Sequence, residues 1–169
     1  MVGAAGSICS ALSRKIAEQK PKKLLLLDNN ETGLFDICEE LKDKCKVEPI
    51  LGDIKDRAKL DETFNKYKPE IVFHGAAYKH VVMCEKWPLE AIKTNIGGTN
   101  YLVEFSQKYN VNKFIFISSD KAANPVSVMG KTKKKGEEIC LKANGKTKFI
   151  VVRFGNVMAS RGSVIEVFK

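Results

Sequence analysis

The sequence contains no apolar run long enough to cross a bilayer, and its first residues do not form a signal peptide. A spanning helix needs about 20 consecutive apolar residues. A signal peptide would begin with a basic region, continue with an apolar core and end at a small-residue cleavage site. We therefore expect a soluble chain in the cytoplasm, and 44% hydrophobic content with 29% charge is typical of such a globular protein.

The cysteines follow no pattern that would form a disulfide framework or a zinc site. There are five of them, an odd number, and no two have the CxxC spacing. We expect no metal ion and a reducing compartment.

The positive charge does not identify a nucleic-acid partner. A net charge of +9 favours anionic ligands such as nucleotides, but the lysines are spread over most of the chain. Neither an aromatic stacking platform nor a recognised nucleic-acid motif accompanies them. Binding to nucleic acid is therefore the least favoured of the hypotheses, and we expect no such partner.

Short apolar runs alternate with helix-patterned segments along the whole chain. The runs, which suit strands covered on both faces, are residues 22–28, 47–53, 71–77, 113–119 and 148–154. The helical segments are residues 7–19, 32–44, 56–67, 88–109 and 127–142. This order predicts one α/β domain with a doubly wound parallel sheet. Ligands of such a sheet bind at the carboxyl ends of its strands.

A glycine-containing turn stands before the first helix. Gly3, Gly6 and Cys9 have the Gly-x-x-Gly-x-x-Gly spacing of a dinucleotide-binding turn, with cysteine at the third place. By itself this pattern is equally typical of an ordinary tight turn. Only two residues precede the turn, so the first strand is short, and we expect either a fragment of a longer protein or an incomplete gene model.

Acidic residues after the following strands support the dinucleotide interpretation. Asp28 ends the next apolar run about 20 residues later, where an acid should hold ribose hydroxyls. No cation directly follows it, which favours NAD over NADP. Asp53 ends the third strand near the expected adenine, although Asp53 or Asp56 is at least as well explained as a helix N-cap.

The whole chain resembles the extended short-chain dehydrogenase/reductases, specifically the nucleotide-sugar 4,6-dehydratases of bacterial polysaccharide biosynthesis. The stretches that carry the resemblance are GAAGSIC, LLLLDNNE, GDIKD, VFHGAAYKHV, EAIKTNIGGTNYL, FISSDKAANPVSVMGKTKK and VVRFGNVMASRGSVI. The resemblance implies a Rossmann fold, truncated at both ends. Residues 1–169 would be the NAD(P)-binding domain, without the C-terminal substrate-binding part.

Such enzymes oxidise a sugar at C4 by hydride transfer to bound NAD or NADP, eliminate water across C5 and C6, and return the hydride to C6. By position, the resemblance makes Asp120 the acid for the departing C6 hydroxyl and Lys121 the base for the C5 proton. Ser119 would hydrogen-bond the sugar near C4. Without the resemblance, this segment is more simply a helix cap and turn.

One position departs from the family's Tyr-x-x-x-Lys motif. Met129 occupies the tyrosine place, whereas Lys133 keeps the lysine place and shares its helix face. Methionine cannot act as acid or base. The departure resembles the methionine branch of the dehydratases and disfavours an epimerase; it leaves open which group takes the C4 hydroxyl proton. A non-catalytic NAD(P)-binding or regulatory module is the alternative.

The resemblance extends to cofactor and substrate contacts. The implied cofactor-binding residues are Gly3, Gly6, Ser7, Ile8, Asp28, Asp53, Ile54, Ala76, Ala77 and Lys133. The implied contacts to a nucleotide-sugar substrate are Lys79, His80, Asn156 and Arg161. It also implies a homo-oligomer, with membrane association only through segments that this chain lacks. We interpret His74 as a satisfied core histidine and Asn95, with Gly98 and Thr99, as helix packing.

Overall fold

The computed structural model describes residues 1–155 and 157. In chain order the helices are α1 (Ser7–Glu18), α2 (Glu31–Leu41), α3 (Arg57–Tyr67), α4 (Val81–Lys86), α5 (Pro88–Ile92), α6 (Thr99–Lys108) and α7 (Val128–Lys142). The strands are β1 (Leu24–Asp28), β2 (Val47–Leu51), β3 (Ile71–His74), β4 (Lys113–Ser119) and β5 (Lys148–Phe154). A π-helical turn (Lys93–Gly98) joins α5 to α6, and a 3₁₀ turn (Asp120–Ala122) follows β4.

The strands are parallel, and residues 1 and 2 complete the sheet between β1 and β3. β1 pairs with β2, and β4 lies between β3 and β5. Val2 forms parallel bridges to Leu27 on one side and to His74 on the other. Its N–H donates to Phe73 O at 2.8 Å, and its carbonyl accepts from Gly75 N at 2.9 Å. The order β2-β1-Val2-β3-β4-β5 is that of a doubly wound Rossmann sheet.

Helices cover both faces of the sheet, as predicted. One apolar cluster packs α3, α6 and α7 against strand residues such as Leu27 and Phe116. A second cluster packs α1 and α2 against the neighbouring residues Leu26 and Ile117. Adjacent strand residues point to opposite faces, so near-continuous apolar runs are required here.

Three of the predicted strands are longer than the observed ones. The run at residues 47–53 leaves the sheet after Leu51, and the run at residues 71–77 leaves it after His74. In both cases the next residue is a glycine. The run at residues 22–28 becomes a strand only at Leu24. The small residues after β3 are apolar for a different reason, because they line a cleft. The strands at residues 113–119 and 148–154 are confirmed.

The helix predicted for residues 88–109 is confirmed as one continuous helical segment, but six of its residues form a π-helical turn that the sequence does not predict. The structure divides this segment into α5, the π-helical turn and α6, and places the unpredicted helix α4 before it. The wider π turn changes the direction in which its side chains point, which is why such turns are frequent at functional sites. Thr94 and Asn95 lie in this turn.

Candidate functional site

A cleft of about 760 Å³ opens at the carboxyl ends of the parallel strands. It brings together most of the residues singled out from the sequence: Gly3, Gly6, Ser7, Ile8, Asp28, Asp53, Ile54, Ala76, Ala77, Lys79, His80, Ser119, Lys121, Met129 and Lys133. Asp120 is not among the lining residues. Asn156 and Arg161 lie outside the described residues, so their assignment stays a prediction.

The glycine turn in the cleft has the geometry of an anion cradle. Gly3 has φ +83°, and a β-carbon there would lie 2.6 Å from Ala76 N, so a side chain is excluded. Gly6 precedes α1 without a side-chain cap, and the first turn of α1 contains no acidic residue. The N-terminal amides and helix dipole suit a phosphate group. This part of the cleft therefore fits the pyrophosphate of a dinucleotide.

Cys9 fits at the third glycine position because glycine lies opposite it. Cys9 is buried, and a β-carbon on Gly75 would lie 2.4 Å from its Sγ. Burial raises the pKa of the Cys9 thiol to about 11, so the thiol stays protonated at neutral pH. In a dinucleotide-binding turn the third glycine normally allows the helix to lie close to the sheet. Here Gly75, on the chain segment that faces Cys9, provides the same space.

Two carboxylates, Asp28 at the end of β1 and Asp53 just after β2, line the cleft. Asp28 accepts hydrogen bonds from Ala5 N and Asn30 N, both at 2.9 Å, which fix its carboxylate beside the glycine turn. Asp53 accepts from Lys55 N at 2.8 Å and from Asn29 Nδ2 at 3.2 Å.

The N-cap of α3 is Asp56, whose side chain accepts from Lys59 N at 2.9 Å. Of the two capping alternatives, the structure therefore selects Asp56. Asp53 is left to line the cleft.

A buried asparagine holds the loop that carries Ala76, Ala77, Lys79 and His80. Asn95 accepts from Tyr78 N at 2.8 Å through Oδ1, and its Nδ2 donates to Tyr78 O at 3.0 Å. Its Nδ2 also donates to Thr132 Oγ1 on α7 at 2.9 Å. Asn95 therefore links the loop to α7, a role that goes beyond helix packing.

His74 is a core histidine, as predicted, but only one of its ring nitrogens has a partner. Its Nε2 lies 2.9 Å from Thr99 Oγ1, and this hydroxyl donates to Asn95 O at 2.7 Å. Nε2 must therefore carry the hydrogen. Burial and the nearby Lys133 lower the pKa of His74 to about 3, so the ring is neutral. Nδ1 has no hydrogen-bond partner among the described residues.

Thr94 was not singled out from the sequence, yet it lines the cleft. Its side chain is buried, and its Oγ1 has no hydrogen-bond partner within residues 1–155 and 157. A buried hydroxyl without a partner is costly unless a ligand completes it. Thr94 is thus a candidate cofactor contact. Its place at the cleft depends on the π-helical turn, which the sequence does not predict.

The segment Ser119, Asp120 and Lys121 forms the end of β4 and the start of the 3₁₀ turn. Asp120 Oδ1 accepts from Ser119 Oγ at 2.9 Å and from Lys121 Nζ at 3.2 Å, and these bonds lower the pKa of Asp120. An acid at neutral pH needs a raised pKa, so the direction found is opposite to the one that its assigned role requires. Ser119 also caps the turn by accepting from Lys121 N at 3.2 Å.

Lys133 and Met129 lie on one face of α7, and both are buried at the cleft. Lys133 Nζ donates to Ile117 O at 2.5 Å and lies 4.2 Å from the centre of the Phe116 ring. Burial lowers the pKa of Lys133 to about 8. A β-carbon on Gly130 would lie 2.6 Å from Lys121 O, so α7 approaches the 3₁₀ turn closely. Lys121, Met129 and Lys133 all line the cleft.

The described residues contain neither a metal-binding cluster nor a helix that could cross a membrane. In that part of the chain no three His, Cys, Asp or Glu side chains are grouped so that they could hold a metal ion. None of its helices is both long and apolar enough to cross a membrane.

Comparison with known sequences places this site in a family. The model of the family described as "Polysaccharide biosynthesis protein" matches residues 1–169. The capsular polysaccharide biosynthesis protein CapD of Staphylococcus aureus is 41% identical over the whole chain, which spans 29% of that relative. UDP-N-acetylglucosamine 4,6-dehydratase (inverting) of Campylobacter jejuni is 34% identical, and the chain spans 52% of it. The UDP-glucose 4-epimerase of Rickettsia rickettsii is 39% identical over 73% of the chain and 37% of its own length.

Solved structures confirm the fold. The X-ray structure of Pen from Bacillus thuringiensis superposes with a TM-score of 0.92 at 35% identity, over 99% of this chain and 52% of that one. UDP-glucose 4-epimerase from Brucella ovis, solved in complex with NAD, has a TM-score of 0.77 at 25% identity, over 92% of this chain and 50% of that one.

Proposed function

Because the chain belongs to the polysaccharide biosynthesis protein family, we propose that it is the NAD(P)-binding part of a nucleotide-sugar 4,6-dehydratase acting on a UDP-N-acetylhexosamine such as UDP-GlcNAc. The observation that carries the proposal is that Lys121, Met129 and Lys133 line one cleft with the glycine turn. The dehydratase relative supports the substrate class, at 34% identity over the whole chain.

The cleft residues suit a dinucleotide that spans the middle of the sheet. The Gly3 to Gly6 turn and the N-terminus of α1 would hold the pyrophosphate, Asp28 the adenosine ribose and Lys133 the nicotinamide ribose. Asp28 and Asp53 on the adenosine side disfavour a further phosphate, so the preferred cofactor is NAD rather than NADP. When bound, the cofactor would accept the C4 hydride of the sugar and supply it to C6.

The protein groups would move protons around that exchange. Lys121 removes the C5 proton, and Asp120 protonates the C6 hydroxyl as it leaves. For this Asp120 must exchange its bonds to Ser119 and Lys121 for bonds to the sugar, because in their presence its pKa is lowered. Ser119, released from Asp120, would hydrogen-bond the sugar near C4.

A 4-epimerase is the second candidate, supported by the Rickettsia relative. An epimerase of this type relies on a tyrosine where the chain has Met129, which is buried and cannot exchange a proton. The dehydratase is therefore preferred. A module that binds NAD(P) without turnover is the third candidate, since the chain spans about half or less of the relatives named above. Homo-oligomerisation stays a prediction.

The test is incubation of the purified chain with UDP-GlcNAc, with and without added NAD or NADP, followed by mass spectrometry. The proposal predicts a product lighter by one water that is absent with Lys121→Ala. Lys131→Ala is the matched control, because Lys131 is exposed on α7 and does not line the cleft. A folded, cofactor-loaded chain that forms no such product would favour the non-catalytic module.

A further inference from the structure

Glu137 is a buried carboxylate on α7, one helical turn beyond Lys133. A buried carboxylate is retained at a cost unless it is paired and hydrogen-bonded. Glu137 accepts hydrogen bonds from residues of β4 and β5, and its own helix adds only an ion pair with Lys134. It does not line the cleft, so no ligand contact explains why the charge is buried there.

Three short hydrogen bonds converge on this carboxylate. Ser118 Oγ donates to Oε1 at 2.6 Å, Arg153 Nε donates to Oε1 at 2.8 Å, and Arg153 Nη2 donates to Oε2 at 2.6 Å. Lys134 Nζ lies 3.8 Å from Oε2. Burial raises the pKa of Glu137, but the bonds from Arg153 and Ser118 outweigh it and lower the pKa. The carboxylate is therefore ionised at neutral pH. We call Glu137, Ser118 and Arg153 the Glu137 cluster.

The Glu137 cluster lies at the edge of the cleft, because Ser118 is itself a lining residue whereas Glu137 and Arg153 are not. Ser118 and Arg153 are register partners on the neighbouring strands β4 and β5. The next pair in the register is Ser119 and Phe154, and both of these residues line the cleft. The Glu137 side chain thus joins the ends of β4 and β5 directly before Ser119 and Phe154, which line the cleft.

The same turn of α7 also carries Lys133. Its Nζ donates to Ile117 O, the residue before Ser118. Lys133 and Glu137 therefore bind consecutive residues of β4, one through the backbone and one through a side chain. The relative position of Lys133 and the end of β4 depends on both contacts.

We propose that Glu137 is a positioning residue for the nicotinamide half of the cofactor site, where it holds the ends of β4 and β5 against the turn of α7 that carries Lys133. The inference rests on the proposed function, since it assumes that a dinucleotide places its nicotinamide ribose at Lys133. The adenosine and pyrophosphate contacts lie on the other side of the sheet centre, at Asp28 and the glycine turn, and do not involve the cluster.

The experiment compares NADH with ADP, which contains only the adenosine and diphosphate half. Titration calorimetry measures the dissociation constant of each for the purified chain and for Glu137→Ala. We expect NADH to bind about tenfold more weakly to the variant than to the original chain, a loss on the scale of one or two charged hydrogen bonds. The dissociation constant of ADP should stay within about twofold of its original value. Glu137→Gln, which still accepts a bond from Ser118, should recover part of the NADH affinity.

Two variants serve as controls. Glu138→Ala removes the next carboxylate of α7, which is partly exposed and paired with Lys135, and should change neither dissociation constant. Arg153→Met disrupts the cluster from β5 without touching the cleft lining and should reproduce the selective loss. It also replaces Glu137→Ala if that variant does not fold.

Equal weakening of NADH and ADP, or no weakening of NADH, would overturn the positioning role while leaving the proposed function intact. An original chain that is folded but binds neither compound would overturn the proposed function, and this inference with it.

Discussion

Cys9 and Gly75 occupy complementary positions: a β-carbon on Gly75 would lie 2.4 Å from Cys9 Sγ. Helix α1 can therefore lie close to the sheet even though the third position of the glycine turn carries a side chain. The relationship makes the two residues energetically dependent on each other.

Gly75→Ala should destabilise the chain by about 1–3 kcal/mol, because the added methyl group overpacks this contact. Adding Cys9→Ala removes the sulfur and should restore part of the lost free energy of unfolding. Urea unfolding of the original chain, the two single variants and the double variant measures this coupling. Gly97→Ala is the control, since the nearest atom to its β-carbon would be 4.0 Å away. Additive effects of the two substitutions would contradict the interpretation.

Lys133 should make stability depend on pH. Burial lowers its pKa from 10.5 to about 8. Between these values the unfolded chain binds more protons than the folded one, so the free energy of unfolding should rise with pH. Relative to Lys133→Met, the original chain should gain on the order of 2 kcal/mol between about pH 7 and 9.5. Urea unfolding at several pH values measures this difference, and a constant difference would exclude a lowered pKa.

Thr94→Val should separate stability from cofactor binding. The substitution removes a buried hydroxyl that has no partner in the described structure, so the free energy of unfolding should stay equal or increase. NADH affinity should fall roughly fivefold to tenfold, the scale of one hydrogen bond. Ser13→Ala is matched, because Ser13 Oγ is likewise buried without a partner there but lies away from the cleft. Unchanged NADH affinity of Thr94→Val would exclude the contact.

Asp28 and Asp53, which in the proposed function would face the adenosine ribose, predict a preference between the two cofactors. NADH should bind at least roughly tenfold more tightly than NADPH, because the additional phosphate would face Asp28 and Asp53. Asn29→Arg adds a cation at this place and should narrow the difference. Asn112→Arg adds the same charge at the amino end of β4 and should leave the difference in affinity between NADH and NADPH unchanged. Calorimetric titration of both cofactors decides the matter, and tighter binding of NADPH to the original chain would contradict the preference.

The sequence predicts β4 well because burial on both faces leaves a direct composition signal, and residues 113–119 form a strand with the predicted bounds. Residues 148–154 also form a strand with the predicted bounds, although none of them is fully buried. The signal fails at Gly75, where the chain is still apolar but has left the sheet to line the cleft. It also fails for α4, whose sequence VVMCEK lacks a clear helical period.

The residues of the candidate site could be predicted from the sequence only where residue type and spacing within one short segment identify them. The glycine turn, Asp28 and the pair Met129 and Lys133 are of this kind. The role of Asn95 depends on the approach of α7 from 37 residues away, and Thr94 is oriented by a π-helical turn that the sequence does not indicate. The Glu137 cluster likewise forms only when β4, β5 and α7 meet.

The most direct test of the proposed dehydration follows the hydrogen at C4 of the sugar. UDP-GlcNAc deuterated at C4 is incubated with the NAD-loaded chain, and mass spectrometry with NMR locates the label. A 4,6-dehydratase would form a product that has lost one water and carries the deuterium at C6. Deuterium that remains at C4 in an epimerised sugar of unchanged mass would contradict it.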